Sequence, residues 1–108
     1  MARGIARGDV WLYRFKAPDK RRPVVVLSRQ AAIALLHTVM VAPVTSTIRG
    51  APSEVTIGPD EGLKHESAIS LDHVQTVEKA RLVQHVGSLG PAKLRDVCRA
   101  LAIATECG

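Results

Sequence analysis

The chain has 108 residues, 46% of them apolar and 3% aromatic, with a formal net charge of +5. Those values fit one ordered domain with a modest aliphatic core and exclude a disordered acidic or basic tail. Residues 1–50 carry nine Lys/Arg against two Asp/Glu, and residues 51–108 carry six against eight, so the basic half points to a polyanionic partner, although a solvated basic surface has the same composition.

The opening MARGIARGDV lacks the apolar centre of a signal peptide, and no apolar run approaches membrane-spanning length. A soluble, cytoplasmic protein without a membrane role is expected. VWLYRF, after Gly8-Asp9, reads as the first strand, with Trp11, Tyr13 and Phe15 on one face and Val10, Leu12 and Arg14 on the other. The polar turn KAPDKRR leads into PVVVLS, which is apolar on both faces and so belongs in the middle of a sheet or in a closed barrel. Pro23 is tolerated at its start.

QAAIALLH is a short run of helix formers that needs tertiary packing to be stable. TVMVAPV is a third strand in which Pro43 implies a bulge or an edge, and TSTIRGAPS is a turn-rich loop. EVTIG, SAISLDHV and RLVQHVGSL complete a count of six strands. Gly90-Pro91 opens a closing helix with Leu94, Val97, Cys98 and Leu101 at helical spacing. The expected architecture is a single domain over residues 1–108, mainly β with helices, built as a small barrel with a helix appended. Functional groups are then expected on loops at the rim.

Cys98 and Cys107 lack zinc-ligand spacing and fit a reducing compartment, with Cys98 expected as a small core residue on the apolar helix face. No HExxH-like pair, carboxylate cluster or Gly-rich phosphate loop occurs, so no metal and no cofactor is expected. His37, His65, His73 and His85 are scattered along the chain. They could support two-histidine cleavage of RNA only if the fold gathers them.

Two stretches carry candidate chemistry. In DKRRPVVVLSR, Arg22 stands before a rigid proline at the mouth of an apolar strand, where it can present its fork to a phosphate at little ordering cost. Lys20 and Arg21 would add general attraction. The same triplet could equally be a solvated turn paired to Asp19. In VAPVTSTIRG, the hydroxyls of Thr45, Ser46 and Thr47 and the cation of Arg49 follow the end of a strand. Such hydroxyls can bond a phosphate or a 2′-OH, or only their own backbone.

The blocks RGDVWLYRF, RRPVVVLS, VMVAPVTSTIRG, GLKHESAISLDHVQTVEKARL and GSLGPAKLRDVCRALAIA, taken in order from about Arg7 to Ala104, resemble the MazF/PemK family of toxin endoribonucleases from toxin–antitoxin pairs. That resemblance implies an SH3-like barrel of the CcdB/MazF type with a C-terminal helix. It also implies a homodimer, metal-independent and sequence-specific cleavage of single-stranded RNA, and a MazE-like antitoxin whose acidic tail fills the RNA groove. It makes Arg22 catalytic with Thr45 as its partner, places Ser46, Thr47 and Arg49 beside the substrate, and places Asp72, His73, Gln75 and Thr76 on the RNA-contacting rim. The family often carries Gln at the position of His73. It also commonly has a longer first loop with a GSEQ-like segment, where this chain has only KAPDKRR.

The implied reaction is attack of the 2′-OH on the adjacent phosphate, giving a 2′,3′-cyclic phosphate and a 5′-OH end. Arg22 would stabilise the added negative charge, and Thr45 would orient a phosphate oxygen. The alternatives are a CcdB-like gyrase poison, which relies on C-terminal aromatics that the ending ATECG lacks, and an RNA-binding module that has lost catalysis.

Overall fold

In the computed structural model, which describes residues 4–16 and 20–107, seven antiparallel strands and two α-helices follow the order β1 (Asp9–Arg14), β2 (Arg21–Val26), α1 (Gln30–Leu35), β3 (Thr38–Thr45), β4 (Glu54–Ile57), β5 (Ser67–Ser70), β6 (Gln75–Glu78), β7 (Leu82–Ser88) and α2 (Pro91–Thr105). The pairing path is β4-β5-β3-β2-β1-β7, with β6 added to β3. β3 serves two partners. Its first half, Thr38–Val41, pairs with β6, and its end, Val44–Thr45, pairs with β5. Pro43, which has no N–H to give, falls between those two ladders.

The doubly apolar β2 sits, as expected, inside the sheet. Val24 and Val26 pack with Trp11, Val39, Val41, Val77 and the α1 residue Ile33 on one face. Val25 and Leu27 pack with Ala42, Val44, Ile57, Ile69 and the α2 residues Val97 and Ala100 on the other. Val25 and Val26 are fully buried, and so is Val10. Two aliphatic cores thus share one wall, and burial on both sides fixes the register of β2, because a one-residue slip would exchange its faces. The six-residue α1 is held from outside, by Ile33 in the core and by Lys79 Nζ donating to the Ile33 carbonyl at 2.6 Å.

The closed six-strand barrel expected from the sequence is not what the pairing gives. Among the described residues there are seven strands, and their hydrogen-bonded path does not close. The edge of β7 is covered instead by the connection between β4 and β5. A Cβ on Gly87 would stand 2.1 Å from the Glu61 carbonyl oxygen, and one on Gly62 would stand 2.3 Å from that of Val86. Backbone lies on backbone there, which only glycine permits, and it shields an edge that would otherwise invite another strand.

A second correction concerns SAISLDHV. The strand stops at Ser70, Leu71–His73 form a 3-10 turn whose Leu71 is buried, and β6 resumes at Gln75. Cys98 is also not a core residue. It is exposed, with an Arg7 guanidinium nitrogen 3.4 Å from its sulfur. α2 turns Val97 and Ala100 inward, and Cys98 lies one position around, on the flank that the sheet leaves open. No described helix is long and apolar enough to cross a membrane.

Candidate active site

The pairing of β2 with β3 ends at Val24–Pro43. Pro23, the next residue of β2, cannot donate to a ladder. On its other side β2 stays paired to β1, with Tyr13 opposite Arg22 and Arg14 opposite Arg21. The backbone of Arg22 is therefore held by one neighbour while the other parts from it. A depression of about 400 Å³ opens in the gap, lined by Lys20, Arg21, Arg22 and Pro23 from the β2 side, Val44, Thr45 and Ser46 from the β3 side, and Ser67. Continuing the β2–β3 register two residues past its last pair sets Arg22 opposite Thr45 on the same face.

Thr45 also lines a second depression of about 510 Å³, together with Thr47, Arg49, Glu54, Ser70, Asp72 and His73. The two hollows are thus adjacent, with Thr45 on the ridge between them. Its Oγ1 accepts from the Thr47 N–H at 3.1 Å, which is the local backbone contact open to such a hydroxyl. Because that bond uses a lone pair, the Thr45 O–H remains a donor for an anion in either hollow.

The far hollow is held by two carboxylates. Glu54 Oε1 accepts the N–H groups of Arg49 and Gly50 at 3.1 and 3.0 Å, which shapes the loop after β3. Asp72 Oδ2 accepts from Ser53 Oγ in a short hydrogen bond. His73 Nδ1 is 2.8 Å from Ser70 Oγ. Among the described residues no carboxylate forms an ion pair with Lys20, Arg21, Arg22 or Arg49, and these four cations flank the two hollows. Asp19, the partner in the alternative reading of the Lys20–Arg22 triplet, lies outside the described residues.

Nine of the residues singled out from the sequence border these hollows: Lys20, Arg21, Arg22, Thr45 and Ser46 around the first, and Thr47, Arg49, Asp72 and His73 around the second. Gln75 and Thr76 do not. They are exposed on β6, paired to Val41 and Met40. Ser67, Ser70 and Glu54 were not anticipated, because short polar residues in short strands give no signal until the strand ends are brought together. Tyr13 was not anticipated either. It is half-buried beside Arg22 on β1, edge-on to Phe15 at 4.8 Å and under the Arg81 guanidinium at 5.8 Å. The clustering of all three aromatics within five residues was the available hint.

The histidines are not gathered. His73 alone lines a hollow, while His85 stacks edge-on to Trp11 and stands 3.6 Å from the buried Asp9 carboxylate. Among the described residues no second histidine lines either hollow. Among them also, no three His, Cys, Asp or Glu side chains come together as a metal-binding group.

Comparison with known proteins gives one consistent result. A family model described as PemK-like, MazF-like toxin of type II toxin–antitoxin system matches residues 6–105. The chain is 47% identical over 103 residues to the probable endoribonuclease MazF5 of Mycobacterium tuberculosis, covering 94% of each. It superposes on the M. tuberculosis toxin MazF-mt6 with a TM-score of 0.85 at 30% identity, covering 93% of this chain and 98% of that one. A mycobacterial endoribonuclease solved in complex with its cognate antitoxin also gives a TM-score of 0.85, at 25% identity and covering 96% and 97%.

Proposed function

The chain belongs to the PemK-like, MazF-like family of type II toxins, and from that premise we propose that it is an endoribonuclease toxin cutting single-stranded RNA in the cleft that Arg22 and Thr45 share. The observation that carries this reading is their convergence on one solvent-open gap where β2 and β3 part. In this reading residues 1–108 act as one domain and as a homodimer, and they cut at a preferred sequence. Relatives named as endoribonucleases favour it over the gyrase-poison alternative.

The chemistry follows from the substrate. The 2′-oxygen attacks the adjacent phosphorus, a bond forms between them, and the bond from phosphorus to the 5′-oxygen breaks. The 2′-hydroxyl proton must leave, and the 5′-oxygen must gain one. Charge accumulates on the non-bridging oxygens as the phosphorane forms. Arg22, fixed by β1 on one side and aimed into the gap, stabilises that charge. Such a preorganised donor contributes about 3–4 kcal/mol. Thr45 donates to the same phosphate and fixes its orientation. No step calls for a metal ion. Lys20, Arg21 and Arg49 attract the backbone on either side.

The same cations would receive an acidic antitoxin segment, which inhibits by lying where RNA lies. One similar structure is of an endoribonuclease in complex with its cognate antitoxin. The test is incubation of the purified protein with a long single-stranded RNA in excess EDTA. Discrete fragments ending in 2′,3′-cyclic phosphate and 5′-hydroxyl are expected. Bound but uncut RNA would assign the chain to the binding modules instead.

A further inference from the structure

We propose that His73 is the catalytic base of this site, accepting the 2′-hydroxyl proton; the proposal rests on the endoribonuclease reading above. A guanidinium stays protonated near neutral pH and has no lone pair to offer. Arg22 can stabilise charge but cannot take the proton, and the same holds for Lys20, Arg21 and Arg49 as ordinary cations.

The groups that can accept a proton around the two hollows are therefore Glu54, Asp72 and His73. Each carboxylate has one oxygen engaged in shaping the site, Glu54 Oε1 with the N–H groups of Arg49 and Gly50, and Asp72 Oδ2 with Ser53 Oγ. Imidazole is the side chain suited to proton exchange near neutrality. His73 is placed by rigid means. It ends the 3-10 turn Leu71–His73, whose Leu71 is buried and donates its N–H to the Ser53 carbonyl at 3.1 Å. Its Nδ1 is engaged by Ser70 Oγ at 2.8 Å. With Nδ1–H donating to that hydroxyl, Nε2 carries the free lone pair.

Position completes the argument. The ribose whose 2′-oxygen attacks is bonded directly to the phosphate under attack, so the base must stand next to the phosphate site. The hollow containing His73 is that neighbour, since Thr45 borders both. As the 2′-oxygen bonds to phosphorus, its proton passes to Nε2, and the departing 5′-oxygen takes a proton from water. The imidazolium then returns its proton to solvent. Arg49, Glu54 and Asp72 are the charged groups facing His73 in this hollow.

Single-turnover cleavage at saturating protein, measured across pH for wild type, His73→Gln and Arg22→Ala, tests the proposal. Wild type is expected to slow on the acidic side of the profile, because only the neutral ring accepts a proton. His73→Gln keeps hydrogen-bonding capacity but not basicity. It should lose on the order of 10²–10⁴-fold in rate, lose the acidic limb of the profile, and bind RNA within a few-fold of wild type. His73→Ala should regain rate when free imidazole is added. A His73→Gln variant with wild-type rate and profile, or one impaired only in RNA affinity, overturns the proposal while the loss in Arg22→Ala still upholds the endoribonuclease reading. Intact RNA with the wild-type protein overturns both.

Discussion

Arg22 on β2 stands opposite Thr45 on β3 across a gap that opens two residues beyond the last pair of those strands. The gap is a consequence of Pro23, which ends the ladder on that side while β1 keeps Arg22 in place on the other. Packing on both faces of β2 supplies the rigidity, so a cation abuts the core because the core is what positions it.

The first prediction separates charge from shape. Arg22→Lys keeps a cation but loses the planar fork, and it should lower cleavage by on the order of 10²–10³-fold with unchanged circular dichroism. A rate near wild type would show that charge alone suffices.

Lys20 and Arg21 have a different task. They line the gap beside Arg22 and are exposed, so they should act through attraction to the RNA backbone. Replacing both by Ala should flatten the dependence of log affinity on log salt by about 0.7 for each phosphate that is no longer neutralised. A binding titration at several salt concentrations measures this, and an unchanged slope removes the two residues from the RNA path.

At Thr45 the hydroxyl is the working group. Thr45→Ser keeps it and should retain most activity. Thr45→Val keeps the branched shape but removes both the donor to phosphate and the acceptor for the Thr47 N–H, and it should be slower by at least about 10-fold, the cost of roughly one charged hydrogen bond. Equal rates for the two variants would mean that Thr45 only packs.

The glycine contact that covers the β7 edge is testable without RNA. Gly62 has φ +91°, and an added Cβ would meet the Val86 carbonyl oxygen at 2.3 Å. Gly62→Ala should lose about 1–3 kcal/mol through backbone strain alone, with the clash added. Urea denaturation reads this as a lower midpoint. A wild-type midpoint would mean that the connection between β4 and β5 is free to move off β7.

Much of this was legible in the chain. VVVL announced a strand buried on both faces, and Arg22-Pro23 announced a cation at its mouth. The helical spacing after Gly90-Pro91 gave α2 its correct start. What failed has common physical causes. Ile69 and Leu71 alternate like a strand, but Leu71 is buried from a 3-10 turn, which a period of two cannot distinguish over so short a run. Cys98 lies at helical spacing, yet how wide a stripe of α2 is covered depends on which strands lie beneath it. Closure of the barrel was expected from the strand count, whereas the fate of the β7 edge depends on where residues 58–62 settle, a contact remote in sequence. The neighbourhood of Thr45 and His73 was likewise beyond reach, because it arises from the meeting of β3, β5 and the turn after β5.

The central claim is that Arg22 and Thr45 act on one phosphate, and a double-mutant cycle on single-turnover RNA cleavage addresses it directly. If they share the phosphate, Arg22→Ala and Thr45→Val should be strongly non-additive, with the double variant little slower than the worse single and a coupling of about 1–3 kcal/mol. Losses that simply multiply, or a single variant that cuts as fast as wild type, would contradict the account.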